Sequence, residues 1–172
     1  MRSIFLTGLG ASQAAERLFT AARVRPAGFR LLPLTTLNGQ TRPHDRGELL
    51  HLLMQPPAPM ENDVPCVLRL SAQRRVLVRE TLEEIAAPAL TMCAQVRSPL
   101  LLDGISGEML TCPAFREAVR SCVRLDSLAL CILRDQAAAD VLTEPGDAVY
   151  DVPASGDDAV QEALLRDALM RW

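Results

Sequence analysis

Lysine is absent from this sequence, and all 18 basic residues are arginine. The chain alone therefore cannot carry out a reaction that depends on a lysine ammonium group. Aromatic residues are also scarce, with four Phe, one Tyr and one Trp, so Leu, Val and Ala must fill the core. The 172 residues, of which 49% are hydrophobic and 23% charged, are enough for one domain with a sizeable core.

Long apolar runs and long basic runs are missing as well. No stretch of about 18 uncharged apolar residues occurs, so no membrane span is predicted. The short apolar run at Ile4–Leu6 is broken by Thr7-Gly8 and then by Glu16-Arg17, which predicts a cytoplasmic protein with a mature N-terminus rather than a secretion signal. The net charge of −3 disfavours a nucleic-acid partner.

Cysteine and histidine show no pattern of a metal site. The five cysteines form no CxxC pair and have no zinc-ligand spacing, which predicts buried, reduced thiols. His44, Asp45 and Arg46 lie in a polar loop without a visible nucleophile, so we interpret them as a solvated turn rather than a catalytic group. His51 is expected to pack on an apolar helix face.

Short apolar runs alternate with segments of helical spacing along the chain. The predicted strands are Ser3–Thr7, Phe29–Leu34, Pro65–Leu70, Arg75–Val78, Leu100–Asp103, Ser127–Leu133 and Asp147–Val152. The predicted helices are Ser12–Ala22, Glu48–Met54, Thr81–Gln95, Pro113–Val123 and Asp157–Met170, the third capped by Thr81 and bent at Pro88.

This order of elements predicts an α/β fold. We expect residues 1–172 to form a single domain with a mainly parallel twisted sheet, flanked by helices and carrying a small hairpin insertion. Ligands in such sheets bind at the carboxyl ends of the strands. That rule points to two places, Thr7 to Gln13 and Asp103 to Thr111.

The segment TGLGASQAAERLF joins the first strand to the first helix through a glycine turn. A Walker A loop has the form G-x-x-x-x-G-K-[ST], in which amides wrap the phosphates, Lys reaches the outer phosphates and the hydroxyl holds Mg²⁺. Counted from Gly8 without gaps, Gln13, Ala14 and Ala15 stand at the last three positions, so the second glycine, the lysine and the hydroxyl are absent. A gap moves Ser12 and Gln13 into the loop but restores no lysine.

Two interpretations of this turn remain open. The amides and positive dipole of a helix N-terminus could hold a phosphate, with Gly8, Gly10, Ala11, Ser12 and Gln13 as the phosphate-binding residues. Alternatively, this is a plain strand-to-helix turn in which the glycines serve the backbone. A dinucleotide-binding G-x-G-x-x-G motif is disfavoured, because no acidic residue follows the second predicted strand.

The segment LLLDGISGEMLTCPAFREAV is the most specific stretch of the chain. An apolar strand that ends in Asp103 has the form of a Walker B site, whose carboxylate holds Mg²⁺; an aspartate that only caps the following loop is the alternative. The segment resembles the small P-loop nucleoside triphosphatases first known from hyperthermophiles, also called cancer-related nucleoside-triphosphatases. Their corresponding stretch reads roughly V-D-E-I-G-K-M-E-L, then Ser and F-x-x-x-V. The matching residues are Asp103, Ile105, Leu110, Phe115 and Val119, together with IFLTG at residues 4–8.

The resemblance covers roughly residues 3 to 135 and implies a P-loop NTPase-like fold. In the family, Mg²⁺ and a nucleoside triphosphate are the cofactor and substrate, and hydrolysis breaks the β–γ bond. The differences fall on the residues of that chemistry. The loop lysine and hydroxyl are missing, Gly104 replaces the acid that follows Asp103, and Glu108 is the candidate substitute for a glutamate shifted by one position.

Three functions follow from these observations. The first is a degenerate, catalytically inactive relative with weak or no nucleotide binding, which acts in regulation or through a protein partner. The second is a Mg-nucleotide binder or slow hydrolase that uses Ser12, Gln13, Asp103 as the metal ligand and Glu108 as the catalytic group. The third is a protein-interaction module without nucleotide, built on residues 35–46 or on the prolines near position 56. The position of Asp103 relative to the glycine turn discriminates between the first two.

Overall fold

The structure is a computed structural model that describes residues 3–34, 36–37, 40–41, 47–53, 63–96, 98–155 and 158–171. The helices are α1 (Ala11–Ala22), α2 (Ala87–Gln95), α3 (Pro113–Val123), α4 (Gln136–Leu142) and α5 (Asp158–Arg171), with a π-helical segment (Thr81–Ala86) before α2 and a 3₁₀ turn (Met109–Thr111) before α3. The strands are β1 (Ser3–Thr7), β2 (Ala27–Pro33), β3 (Thr36–Leu37), β4 (Gln40–Thr41), β5 (Gly47–Leu53), β6 (Asp63–Arg69), β7 (Arg75–Leu77), β8 (Leu100–Ile105), β9 (Ala129–Leu133) and β10 (Ala148–Asp151).

Eight of these strands form one sheet in the order β10-β1-β9-β8-β2-β5-β6-β7. The first five are mutually parallel, and the last three continue the sheet antiparallel from β2. β3 and β4 pair separately as a short hairpin. The predicted α/β class is therefore confirmed, with the parallel half built from strands that alternate with helices.

Helices cover both faces of the parallel half. Side chains alternate along each strand, so Phe5 of β1 contributes to one apolar cluster while Ile4 and Leu6 contribute to the other. α1 and α5 supply the helical residues of the cluster that contains Ile4. α2, α3 and α4 supply those of the larger cluster, which contains Phe5. The strands β1, β8 and β9 are thus buried on both faces, as expected for this class of sheet, whereas the edge strand β10 is partly exposed.

One predicted helix is wrong. Residues 47–53 form β5, a strand between β2 and β6, rather than a helix over Glu48–Met54. Leu50 and Leu52 are buried while their neighbours are partly exposed, which is the two-residue period of a strand. Backbone pairing with two neighbouring strands outweighs the helical propensity of Glu and Leu here. His51 therefore does not lie on a helix: it is partly exposed on β5 and contacts the carboxylate of Asp63 through Nδ1.

The helix predicted from Thr81 begins earlier than expected. Glu80 already has helical backbone angles (φ −57°, ψ −40°), and the Thr81 hydroxyl donates a hydrogen bond of 2.6 Å to the Pro65 carbonyl instead of capping the helix. Pro88 lies in the first turn of α2 and has no N–H to donate, and the wider π-helical turn precedes it directly.

Several predictions concern residues outside the described ranges, namely the residues of the His44–Arg46 turn and of the loop around position 56. Among the helices in the described ranges, none is both long enough and apolar enough to cross a membrane.

Candidate functional site

The turn between β1 and α1 contains three residues, Gly8, Leu9 and Gly10. Gly8 has a φ of +89°, a conformation that glycine adopts without strain. Leu9 forms the tip of the turn with 91% of its surface exposed. A Walker A motif has four residues between its two glycines. Only Leu9 separates Gly8 from Gly10, so this turn is three residues shorter than that motif.

The segment that follows β10 packs directly against this turn. The Gly10 amide donates a hydrogen bond of 3.0 Å to the Val152 carbonyl, and the Val152 amide donates one of 2.8 Å to the Thr7 carbonyl. A Cβ atom at Gly8 would lie 2.3 Å from the Val152 oxygen, and one at Gly10 would lie 2.3 Å from the Pro153 oxygen. Both glycines are therefore required by the close approach of another backbone segment.

Ser12 and Asp103 meet at the carboxyl edge of the sheet. Ser12 lies in the first turn of α1, and Asp103 lies near the end of β8. The Ser12 hydroxyl donates a hydrogen bond of 2.8 Å to Oδ1 of Asp103. The sheet order places β9 between β1 and β8, so the start of α1 must cross above β9 for this contact to form. The sequence alone gives no distance between two residues 91 positions apart.

Asp103 is a buried acid, with 7% of its surface exposed. Loss of solvation raises the pKa of its carboxyl group above the ordinary value. The hydrogen bond from Ser12 and then the positive charge of Arg30 oppose this shift in pKa. Asp103 therefore retains its proton to a higher pH than an exposed aspartate does.

Arg30 is a neighbour of this pair that the sequence analysis did not identify. It lies opposite Asp103 on the adjacent strand β2 and opposite His51 on β5. Its Nη1 lies 3.7 Å from the carboxylate of Glu16 on α1. The signal available in the sequence was a single charged residue within an otherwise apolar strand, AGFRLLP.

Gly104 and Glu108 follow Asp103 in the sequence, but neither contributes to the Ser12–Asp103 pair. Gly104 has a φ of +99° at an irregularity in the pairing of β8 with β9, and a Cβ atom there would lie 2.9–3.0 Å from side-chain atoms of Leu31. An acidic side chain at this position would be strained with the present backbone. Glu108 is exposed and precedes the 3₁₀ turn, where its carbonyl accepts a 2.7 Å hydrogen bond from the Thr111 hydroxyl. No hydrogen bond within the described ranges links the Glu108 side chain to Ser12 or Asp103.

The other two predicted phosphate-binding residues of α1 differ in their exposure to solvent. Ala11 is 1% exposed and packs in the cluster shared by α1, α5 and β1. Gln13 is exposed on α1. The structure thus brings Ser12 to Asp103, buries Ala11 in the core and leaves Gln13 on the helix surface.

Asp135 holds the loop after β8 at the same edge of the sheet. The sequence analysis did not identify this residue either. Its carboxylate accepts hydrogen bonds from the Ala138 amide at 2.8 Å, as the N-cap of α4, and from the Gly107 amide at 2.9 and 3.1 Å. It therefore ties the loop after β8 to the start of α4. The available signal was an acid two residues after an apolar strand and directly before QAAADVL.

Comparisons with known proteins show the fold alone. No protein-family model matches this sequence. No curated protein sequence matches it either. Among solved structures, the chain is similar to the crystal structure of THEP1 from the hyperthermophile Aquifex aeolicus, with a TM-score of 0.66 and 15% sequence identity, over 95% of this chain and 97% of that chain. This chain therefore has a P-loop NTPase-like α/β fold, as the resemblance in its sequence implied.

Proposed function

We propose that this protein is a P-loop NTPase-like protein that does not hydrolyse nucleotides efficiently, binds them weakly or not at all, and acts in regulation or through a protein partner. The observation that carries the proposal is the three-residue turn between β1 and α1. A turn this short cannot wrap its amides around a phosphate as a Walker A loop does. The Gly10 amide is moreover already bonded to the Val152 carbonyl.

The contact between Ser12 and Asp103 supports a particular correspondence with the Walker A motif. In P-loop NTPases the loop Ser or Thr and the Walker B Asp hold the same Mg²⁺. If Ser12 corresponds to that hydroxyl residue, then Ala11 stands at the lysine position and Gly10 at the second glycine. The metal-holding pair is then retained, while the lysine and three loop residues are lost.

The residues present are suited to holding the Mg²⁺ of a Mg-nucleotide but not to holding its triphosphate. A hydroxyl and a carboxylate oxygen are donors that Mg²⁺ accepts. The turn offers no cradle for the triphosphate, and no lysine exists to reach the outer phosphates. Ala11 cannot be replaced by lysine without burying a charge, since it is 1% exposed. Loss of one charge-stabilising donor costs roughly 3 kcal/mol of transition-state stabilisation, or about 100-fold in rate. Here the lysine and the amide cradle are missing together.

The exposed tip of the turn supports a role in protein contact. Leu9 is 91% exposed at the carboxyl edge of the sheet, where this fold class places its ligands. An isolated exposed leucine is ordinary on a protein surface. At this position, however, it replaces the polar, glycine-rich backbone that a phosphate would contact.

A second candidate function, slow hydrolysis or binding of a Mg-nucleotide, is favoured by the same Ser12–Asp103 pair. Two measurements discriminate between these candidate functions. One is isothermal titration calorimetry of the full chain with ATP and GTP, with and without Mg²⁺, and the other is an assay of phosphate release. Asp103→Asn and Ser12→Ala test the pair, and Asp140→Asn, on the exposed side of α4, is the matched control.

Under the first proposal we expect no saturable heat up to about 1 mM nucleotide, which corresponds to a binding free energy weaker than about −4 kcal/mol. We also expect phosphate release at the background rate. Micromolar affinity that requires Mg²⁺, weakens in Asp103→Asn and Ser12→Ala and persists in Asp140→Asn would overturn the proposal in favour of a rebuilt nucleotide site.

A further inference from the structure

The outward side of α2 is apolar along its whole length. Four exposed side chains, spaced three or four residues apart, lie along it: Ile85, Pro88, Met92 and Val96. This spacing places them on one side of a helix, and we call these four residues the α2 stripe. No charged residue occurs from position 85 to position 96, whereas the outward side of a surface helix is ordinarily polar or charged.

The α2 stripe is well exposed, and the polar group beside it is already satisfied. Ile85, Met92 and Val96 are 40%, 56% and 41% exposed. The Thr91 hydroxyl donates a hydrogen bond of 3.0 Å to the Ala87 carbonyl within the helix. Burial of this side of α2 against another apolar surface would therefore leave no unpaired hydroxyl at this position.

α3 lies beside α2 and runs in the same direction. Near the start of both helical segments, the Ala114 amide donates a hydrogen bond of 3.0 Å to the carboxylate of Glu83. Further along, the Cys122 thiol donates one of 3.6 Å to the Leu90 carbonyl. Cys122 is therefore roughly level with Leu90, which lies near the middle of the α2 stripe.

The outward side of α3 carries one acid and one base on either side of that level. Its exposed side chains are Ala114, Glu117, Ser121 and Arg124. Neither Glu117 nor Arg124 makes an ion pair within the described ranges. The two residues are separated by about 10 Å along the helix, which is too far for them to pair with each other. The small side chain of Ser121 lies between them.

We propose that the α2 stripe and the outward side of α3 form the interface of a two-fold symmetric dimer of this chain. A second copy whose helices run antiparallel to the first places α2 on α2 and α3 on α3. Ile85 then faces the partner's Val96, and Met92 lies near the partner's Pro88 at the two-fold axis. The apolar side of α2 is thereby covered by the same apolar side of the second copy.

The charges of α3 favour a second copy over an unrelated protein. In the antiparallel arrangement Glu117 faces the partner's Arg124, and the two-fold symmetry repeats this ion pair. The middle of the charged pattern on α3 is level with the middle of the α2 stripe, so one axis serves both helices. A single surface thus supplies both members of every contact.

The size of this face predicts a weak dimer. Two packed helices roughly 9 Å apart and about 18 Å long present a face of about 20 Å by 18 Å. A standard interface buries about 800 Å² per partner, which is more than this face offers. We therefore expect a dissociation constant of about 10–100 μM and a dimer fraction that rises with protein concentration.

This interface is separate from the turn that the proposed function concerns. α2 and α3 pack on the face of the sheet that contains Phe5, whereas α1 packs on the other face. The inference does not rest on the proposed function. Nucleotide titrations test the proposed function, and sedimentation of the chain without nucleotide tests the dimer.

The first test is sedimentation equilibrium of the full chain from about 1 μM to about 500 μM. Met92→Glu places a carboxylate near the two-fold axis, and we expect it to weaken the dimer at least about 10-fold, since two like charges would be buried together. Met170→Glu is the matched control, because Met170 is 81% exposed on α5, which packs on the opposite face of the sheet. Melting temperatures establish that both variants fold.

Charge reversals on α3 test the two-fold geometry. Arg124→Glu and Glu117→Arg each place like charges opposite one another, so each variant alone is expected to dimerise at least about 10-fold more weakly than the wild type. An equimolar mixture of the two variants restores opposite charges at both contacts, and we expect it to form a heterodimer with nearly the wild-type affinity. Mixing would not reverse an effect of either substitution within its own chain.

Three outcomes would overturn the proposal. The first is a wild-type chain that stays monomeric up to about 500 μM, including one that binds phosphatidylcholine vesicles through the α2 stripe instead. The second is a dimer of equal affinity in Met92→Glu and Met170→Glu. The third is a mixture of Arg124→Glu and Glu117→Arg that associates no more tightly than either variant alone.

Discussion

Gly8 and Gly10 illustrate how a motif-like glycine pair can serve packing. Each would place a Cβ atom 2.3 Å from a backbone carbonyl oxygen of the segment after β10. With the present backbone, such a distance leaves no room for any side chain. The glycines are therefore required by the approach of Val152 and Pro153, with or without a phosphate.

Gly8→Ala is expected to destabilise the protein by about 2–5 kcal/mol. The strain of a positive φ at a non-glycine residue adds to the clash of the new Cβ atom with the backbone of Val152. Gly146 is a matched control: its φ is +96°, and nothing lies within 4 Å of the Cβ position. Gly146→Ala is expected to cost only the strain of about 1–2 kcal/mol. Urea denaturation of both variants measures the difference, and equal losses would show that packing on Val152 does not matter.

Asp103 makes stability depend on pH. Because burial raises its pKa in the folded state, the folded protein binds a proton more tightly than the unfolded chain in the window above the ordinary value of 3.8. The free energy of unfolding therefore falls as the pH rises through this window, and the destabilisation is complete above the raised pKa. Asp103→Asn is expected to increase stability at neutral pH and to leave it unchanged below the ordinary aspartate pKa. Denaturation at a series of pH values tests this, and a variant less stable than wild type at neutral pH would contradict it.

Ser12 lowers the cost of that buried charge. Ser12→Ala is expected to reduce the free energy of unfolding by about 1–3 kcal/mol at neutral pH, because it removes a hydrogen bond to a buried carboxylate. The effect should shrink in the Asp103→Asn background, where no charge remains to be stabilised. A double-mutant cycle by urea denaturation gives the coupling, and additive effects would exclude it.

Among the helices, α4 shows how one side chain can join two elements. Asp135 caps α4 and also accepts hydrogen bonds from the Gly107 amide in the loop after β8. That loop passes close to α4, since a Cβ atom at Gly107 would lie 2.5 Å from the Cβ atom of Ala137. The position of the loop, and of Glu108 beyond it, therefore depends on a residue of the next strand-to-helix connection.

Asp135→Ala is expected to cost about 2–3 kcal/mol, as the sum of a lost helix cap and lost hydrogen bonds to Gly107. Asp135→Asn keeps one acceptor oxygen and should retain most of the stability. Thermal or urea denaturation compares the two variants. If asparagine were as disruptive as alanine, the role of Asp135 would be its charge rather than its acceptor geometry.

At the scale of the whole molecule, all five cysteines lie in the larger of the two apolar clusters. All five are free and buried. Burial raises the pKa of Cys66 and of Cys122 to about 12, and it also raises the pKa of Cys131. The thiolate, which is the reactive form, is thus scarce at neutral pH.

We expect no cysteine of the native protein to react with a disulfide reagent such as DTNB on the minute timescale, and all five to react after denaturation. The rate of labelling under native conditions should follow the rate of global or local opening. Rapid labelling of one thiol in the folded protein would show that its burial is incomplete.

Local patterns in the sequence were sufficient to predict most elements of the fold. The buried strands β1, β8 and β9 and the helices α1, α3 and α5 follow from apolar runs and helical spacing, because these signals are carried by neighbouring residues. The helix predicted at β5 was wrong because the strand conformation there depends on pairing with β2 and β6. Local propensity does not encode that pairing. α4 was missed because seven residues give little periodicity.

Some features of the candidate site can likewise be obtained from the sequence, whereas others depend on the tertiary structure. The absence of lysine and the short spacing of Gly8 and Gly10 can be counted in the sequence, and they limit the chemistry whatever the fold. The contact of Ser12 with Asp103, the packing of Val152 on the glycine turn and the position of Arg30 beside Asp103 join residues far apart in the chain. Such contacts are set by strand order and by which face each strand presents, and these become defined only when the whole sheet assembles.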